Sequence, residues 1–187
     1  MPILDPPSQG VNTPPRNGWL GGENQNAGGG EREVRWLTPR HVVDALGTFD
    51  LDPCGAPGHD LAARTYLPEN GEDGLALPWS GRVWLNPPYG KHAEPFLRRL
   101  GHHGHGTALI FARTETKAFH DLVWDVATGI LFLKGRLTFL RGDGVAAKAN
   151  SGAPSCLVAY GHDDADALKA SGISGVYVPL AAMERVA

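Results

Sequence analysis

Strand-length apolar segments alternate with helix-spaced ones along this sequence, and the alternation predicts an α/β fold: a mainly parallel sheet with helices on both faces. Three observations carry the prediction. Residues 107–112 form an unbroken apolar run, the mark of a strand buried on both sides. Residues 49–53 and 82–85 are strand-like segments that each end in a proline-bearing polar loop. Residues 116–126 place Phe119, Leu122, Val123 and Val126 on one helical face.

Residues 1–33 are rich in Pro, Gly and Asn and lack periodicity. They read as a flexible arm ahead of one domain over 34–187. Trp19 is the one residue of the arm suited to dock on the body. Thr38 is expected to cap a helix with Pro39 at its first position; Val42, Val43 and Leu46 follow at helical spacing and Gly47 ends it. A strand over 49–53 stops at Pro53, a short helix is expected within 59–66, and a strand over 82–85 runs directly into Asn86-Pro87-Pro88-Tyr89. Then come a helix near 92–100, the strand 107–112, the helix 116–126 and a strand over 130–133. Residues 136–140 alternate as a further strand, 141–153 form a Gly/Ala/Lys-rich loop, and strands at 155–160 and 175–178 flank a helix near 163–170. Ligands of such sheets bind beyond the carboxyl ends of the strands. The polar segments at 50–54, 86–89 and 113–115 are therefore expected to converge on one edge.

Composition narrows the class. A chain of 187 residues with 42% hydrophobic residues suits one globular domain. No run of about 18 apolar residues occurs, so no membrane span is expected. The N-terminus shows no secretory signal, and two cysteines, Cys54 and Cys156, make no disulfide framework; a cytoplasmic setting is expected. The net charge of −3 argues against a nonspecific nucleic-acid coat. It leaves room for a nucleic-acid enzyme with a local basic face.

Asn86-Pro87-Pro88-Tyr89 is the strongest chemical signal. An exocyclic amine on a nucleobase is a poor nucleophile because its lone pair is delocalised into the ring. One acceptor on each N–H draws the nitrogen toward tetrahedral geometry. The Asn86 side-chain oxygen and the Pro87 carbonyl can be those two acceptors, the prolines stiffen the loop, and Tyr89 can stack on the base. A Pro-Pro turn with Asn as a simple loop residue is the competing reading. Asp50-Leu51-Asp52-Pro53-Cys54 is the second signal. By the period-2 rule Asp50 and Asp52 share a face, where carboxylates suit an ammonium, a ribose diol or a nearby sulfonium. A solvated strand end is the alternative. No G-x-G-x-x-G fingerprint lies here.

With these two segments the chain resembles the phage-type DNA N6-adenine methyltransferases of phages and prophages. The matching stretches also include Trp36-Leu37-Thr38-Pro39, Asp73-Gly74-Leu75 with Trp79, Ala112-Arg113-Thr114-Glu115-Thr116 with Phe119-His120, and Gly135-Arg136-Leu137-Thr138-Phe139. They span about residues 36–160. The resemblance implies a Rossmann-like class I methyltransferase fold, S-adenosylmethionine as cofactor, and DNA, double-stranded by expectation, as substrate. It makes Asn86, Pro87, Pro88 and Tyr89 the catalytic loop. It gives cofactor contacts to Thr38, Pro39, Asp50, Asp52, Pro53 and Cys54, and a cofactor-facing position to Asp73. No long insert separates the two loops, so target recognition falls to 141–153 or to the arm, and either site-specific or relaxed-specificity methylation is expected. If phage-encoded, the enzyme would act in a bacterial host cell.

Other residues carry weaker signals. Arg113, Lys117, Lys134, Arg136, Arg141 and Lys148 are candidates for phosphate contacts if they share a face; ordinary solvated charge is the alternative. His102, His103 and His105 lie in a Gly-rich turn without cysteine partners, which speaks against a metal centre. Trp79 and Trp84 read as core. Cys54 lies outside the amino-methylating loop, against a covalent role. Cytosine N4, RNA adenine and a protein glutamine amide all present a planar amine to the same loop, and a decayed, non-enzymatic DNA-binding module keeps the same fold. These remain alternatives to adenine N6 in DNA.

Overall fold

The computed structural model describes residues 36–88, 92–142, 144–147 and 151–180. The expected arm with Trp19, and also Tyr89 and Lys148, lies outside them. In chain order the elements are α1 (Arg40–Asp44), β1 (Leu51–Asp52), β2 (Arg64–Thr65), a 3-10 turn (Pro68–Asn70), β3 (Val83–Leu85), α2 (Ala93–His103) and β4 (Gly106–Phe111). Then come α3 (Lys117–Phe119), a π-helical turn (His120–Trp124), β5 (Gly129–Leu133), β6 (Ser155–Tyr160), α4 (His162–Ala170) and β7 (Gly175–Pro179).

The seven strands form one sheet in the order β2-β1-β3-β4-β6-β5-β7. β1 pairs in parallel with β2 and β3, and β3 with β4. β6 is antiparallel to both β4 and β5, and β7 is antiparallel to β5. β1 to β5 therefore run one way, and β6 and β7 run the other. The α/β expectation holds, with parallel pairing in one half of the sheet and antiparallel pairing in the other.

Side chains alternate across the sheet and build two cores. Val83, Leu85, Ala108, Ile110 and Val158 meet Ala93, Phe96, Leu97 and Leu100 of α2, together with Leu122 and Val123 of the π turn. Those α2 positions are spaced as one helical face. Trp84, Leu109, Phe111, Leu131 and Leu157 meet Val42 and Val43 of α1 and Ala165 and Leu168 of α4. Helices thus cover both faces, as the Rossmann-like expectation requires. Among the described residues no helix is long and apolar enough to cross a membrane.

Four local expectations need correction. The N-cap of α1 is Pro39, with no side-chain cap bond, so Thr38 does not cap it. No helix forms over 59–66. The amides of Ala63, Arg64 and Tyr66 instead bond the carbonyls of Phe49, Asp50 and Asp52, each at 2.9 Å, and β1 captures this segment as a strand. Residues 136–140 make no strand; only Leu140 bridges, to Leu37 and to Ala146. The helix expected over 116–126 is a three-residue α-helix, capped by the Thr116 side chain, that widens into the π turn.

Candidate functional site

The chain leaves β1 toward β2 on one side and leaves β3 toward β4 on the other. Such a divergence opens a crevice at the carboxyl ends of the two strands. A cavity of about 500 Å³ lies there, lined by Asp52 at the end of β1, by Pro53, Cys54, Gly55 and Ala56 after it, and by Asn86, Pro87 and Pro88 after β3. That volume is in the range of small-molecule sites, roughly 300–1,000 Å³. Trp36, Leu37 and Thr38 close one side, and Glu72, Asp73 and Gly74 another.

The exit of β1 is tightly built. Asp52 is buried, and its Oδ1 accepts from the Cys54 amide at 2.9 Å. Burial pushes its carboxyl up to about 7, with the Cys54 N–H pulling weakly the other way. A Cβ on Gly55 would stand 1.9 Å from Thr65 Cγ2, and one on Gly74 would stand 2.0 Å from the Pro53 carbonyl oxygen. Only glycine lets β2 and the 72–74 segment lie so close against this loop.

The 72–74 wall is pinned from within and from α2. Glu72 Oε2 accepts from the Leu67 amide at 2.9 Å, and Asp73 Oδ1 from the Leu75 amide at 2.8 Å. Arg99 of α2 donates to the carbonyls of Gly74 (3.3 Å), Leu75 and Leu77 (2.6 Å) and stacks its guanidinium on the Trp79 ring. Trp79 Nε1 also donates to the Gly74 carbonyl, at 2.8 Å. The helix that follows the Asn-Pro-Pro loop therefore holds the opposite wall.

At the end of β3, Asn86 Nδ2 donates to the Trp36 carbonyl at 2.8 Å. Among the described residues, three polar atoms of the cavity lining are buried without a hydrogen-bond partner: Thr38 Oγ1, His59 Nε2 and Trp84 Nε1. Each such orphan costs about 1–3 kcal/mol unless a ligand satisfies it. His59 is held below the usual imidazole range by burial, against the opposing effect of the Thr38 backbone. Orphaned donors and acceptors on one side and carboxylates on the other fit a polar, cationic ligand such as S-adenosylmethionine.

Two expected cofactor contacts lie elsewhere. Asp50 precedes β1, away from its carboxyl end, and its Oδ2 accepts from the Arg82 amide at 2.7 Å; it does not line the cavity. Pro39 is buried at the start of α1 and does not line it either. Thr38, Asp52, Pro53, Cys54 and Asp73 do. Arg113 follows β4, and Lys134 and Arg136 follow β5, so all three occupy the same sheet edge as the cavity without lining it. Lys117 pairs with Asp121 at 2.5 Å, Arg136 reaches the Ser151 carbonyl at 3.4 Å, and Arg141 is half-buried. His102 is exposed, His103 meets the Gly81 carbonyl at 2.7 Å and His105 meets Asp164 at 3.0 Å, so the three histidines do not converge.

Sequence reasoning missed Glu72 and His59 altogether, placed Trp84 in the core alone, and gave Trp36 no role. Trp84 is fully buried, yet it also lines the cavity. Its position two residues before Asn86 on an alternating strand was the available signal. Glu72 and His59 lie in turns and carried none.

A family model described as DNA N-6-adenine-methyltransferase (Dam) matches residues 29–170, well over half of the chain. Over 132 residues the chain is 25% identical to the DNA N-6-adenine-methyltransferase of Escherichia phage T1, a stretch covering 58% of this chain and 54% of that protein. The chain thus spans about half the length of that curated relative. No solved structure matches.

Proposed function

The chain belongs to the DNA N-6-adenine-methyltransferase (Dam) family, and from that membership we propose that it transfers a methyl group from S-adenosylmethionine to the N6 amine of adenine in DNA. One observation supports this reading above the others: Asn86-Pro87-Pro88 and the β1 exit loop line a single cavity at the divergence of β1 and β3. A cofactor loop and an amine-binding loop must share a site for direct transfer.

Asp52, the 53–56 loop, Thr38, Glu72 and Asp73 would hold the cofactor. When bound it supplies a sulfonium methyl that is already activated, so the chain need only bind and orient. Asn86 Oδ1 would accept one N6 hydrogen and the Pro87 carbonyl the other, freeing the nitrogen lone pair to take the methyl as its bond to sulfur breaks, with the surplus N6 proton passing to solvent. Proline at 87 offers no backbone N–H to compete with the amine. Tyr89 is assigned stacking on the base. Extruding the adenine costs a few kcal/mol, offset by these contacts. Arg113, Lys134, Arg136, Arg141 and Lys148 are assigned to phosphates around the flipped nucleotide, so binding weakens as salt rises.

The test is transfer of labelled methyl from S-adenosylmethionine to unmethylated duplex DNA, read by nucleoside mass spectrometry. N6-methyladenine is the expected product. A chain that binds the cofactor but yields no methylated nucleoside overturns the assignment.

A further inference from the structure

A terminal amide offers one donor side and one acceptor side, and a catalytic asparagine works only if the acceptor faces the substrate. In this chain the orientation of Asn86 is set by main chain. Its Nδ2 donates to the Trp36 carbonyl at 2.8 Å. That carbonyl comes from the segment ahead of α1 and is held in place one residue on. Leu37 and Leu140 exchange both backbone hydrogen bonds, each at 2.8 Å, and Leu140 also bridges Ala146. Leu37 is buried, so the pairing is shielded from water.

We propose that Trp36 is a positioning residue: its main-chain carbonyl turns the Asn86 amide so that Oδ1 meets the substrate amine, and this makes asparagine, not aspartate, the working residue at position 86. The proposal rests on the adenine reading for the identity of the amine. Its physical basis is the carbonyl itself. An ionised carboxylate has no N–H to donate, and it would set an oxygen against the Trp36 oxygen. Only the protonated carboxyl can donate to Trp36 and still present an acceptor to the amine.

Two measurements on the full chain test this. The first needs no activity. The Asn86 side-chain NH2 resonance, assigned by its loss in Asn86→Asp, should exchange with solvent much more slowly than an exposed amide. The second compares methyl transfer by Asn86→Asp and by the wild type as a function of pH. The other titratable groups lining the cavity are Asp52 at the end of β1, Cys54 in the loop beyond it, His59 in the following turn, and Glu72 and Asp73 on the opposite wall. All are common to both proteins and cancel in the ratio of rates. That ratio should rise about tenfold per unit of acidification while the carboxyl is mostly ionised. A pH-independent ratio overturns the proposal, and so does an Asn86 amide that exchanges as fast as an exposed one. A wild type that methylates no DNA sinks the adenine reading alone, because the exchange measurement still decides the orientation.

Discussion

Asp50 and Asp52 are two residues apart and have opposite fates. Asp50 stays exposed and caps the backbone of Arg82. Asp52 is buried at the cavity, with its carboxyl pushed up to about 7 because burial outweighs the single N–H from Cys54. The raised value fixes the sign of its pH dependence. Below the ordinary carboxyl value of 3.8 the group is protonated in both folded and unfolded chains and costs nothing. As pH rises toward about 7 the unfolded chain ionises first, and the folded protein loses stability. Asp52→Asn should remove this loss, raising the Tm of the cofactor-free protein above pH 7 by the equivalent of a few kcal/mol. The gain should vanish near pH 4; equal thermal stability of the two proteins at both pH values refutes the burial argument. Asn86→Ala should cut methyl transfer by at least about a hundredfold, as loss of a transition-state contact does, with cofactor affinity little changed. Cofactor binding lost in parallel would move Asn86 out of the assigned role. The alternation rule says which face a residue takes, not how near it lies to the strand end, so it could not separate these two aspartates.

Helix α2 joins the two walls of the cavity. It begins just beyond the Asn-Pro-Pro loop, buries Phe96 and Leu97 under β3 and β4, and sends Arg99 to three carbonyls of the 74–77 segment. Arg99→Ala should release that wall and weaken cofactor binding several-fold, read by calorimetry, while the urea midpoint shifts little. Arg99→Lys should not restore affinity, since a point charge cannot replace a planar fork that stacks on Trp79 and spans several acceptors. Unchanged affinity in both variants would show that the wall stands without the clamp. Long segments such as α2 and β4 were legible, α2 because its apolar positions keep helical spacing over several turns and β4 because its apolar run is unbroken. The segments 59–66 and 136–140 were not. They are too short for a period to discriminate, and pairing with β1 or with Leu37 decides their state.

The sheet has two unlike ends. The carboxyl ends of β1 and β3 carry the cavity, and the amino ends of β3 and β4 carry a buried charge network. Asp164 of α4 has no exposed surface and accepts from Arg82 Nε at 2.7 Å and Thr107 Oγ1 at 3.3 Å, with His105 Nδ1 at 3.0 Å. Arg82 also bonds the Leu46 and Thr48 carbonyls and stacks on Phe49. The ends of β3 and β4 thus meet α4 at one carboxylate, and Arg82 ties in the turn after α1. Asp164→Ala leaves a largely buried guanidinium without its counter-charge and should cost about 3–5 kcal/mol in urea unfolding. Cofactor affinity should be unaffected in the folded variant, because the network lies at the far edge from the cavity; a large affinity loss would couple the two ends. The net charge of −3 is consistent with this layout. Acids gather at the cavity wall, while Arg113, Lys134 and Arg136 lie on the same sheet edge outside it.

Local chemistry alone determined the α/β class, the helix-covered sheet and the two loops that matter, since burial patterns and proline-bearing strand exits are written in neighbouring residues. The family resemblance was legible for the same reason: its motifs are short and contiguous. The order and direction of the strands were not, because an unbroken apolar run reports burial on both sides and is silent about which strand lies beside it. The insertion of β6 between β4 and β5 and the reversed β7 follow from pairings between residues far apart in the chain. The same holds for the cavity. Asn86 could be read from its motif, but the Trp36 carbonyl that orients it lies 50 residues away, and no local period records a contact of that kind.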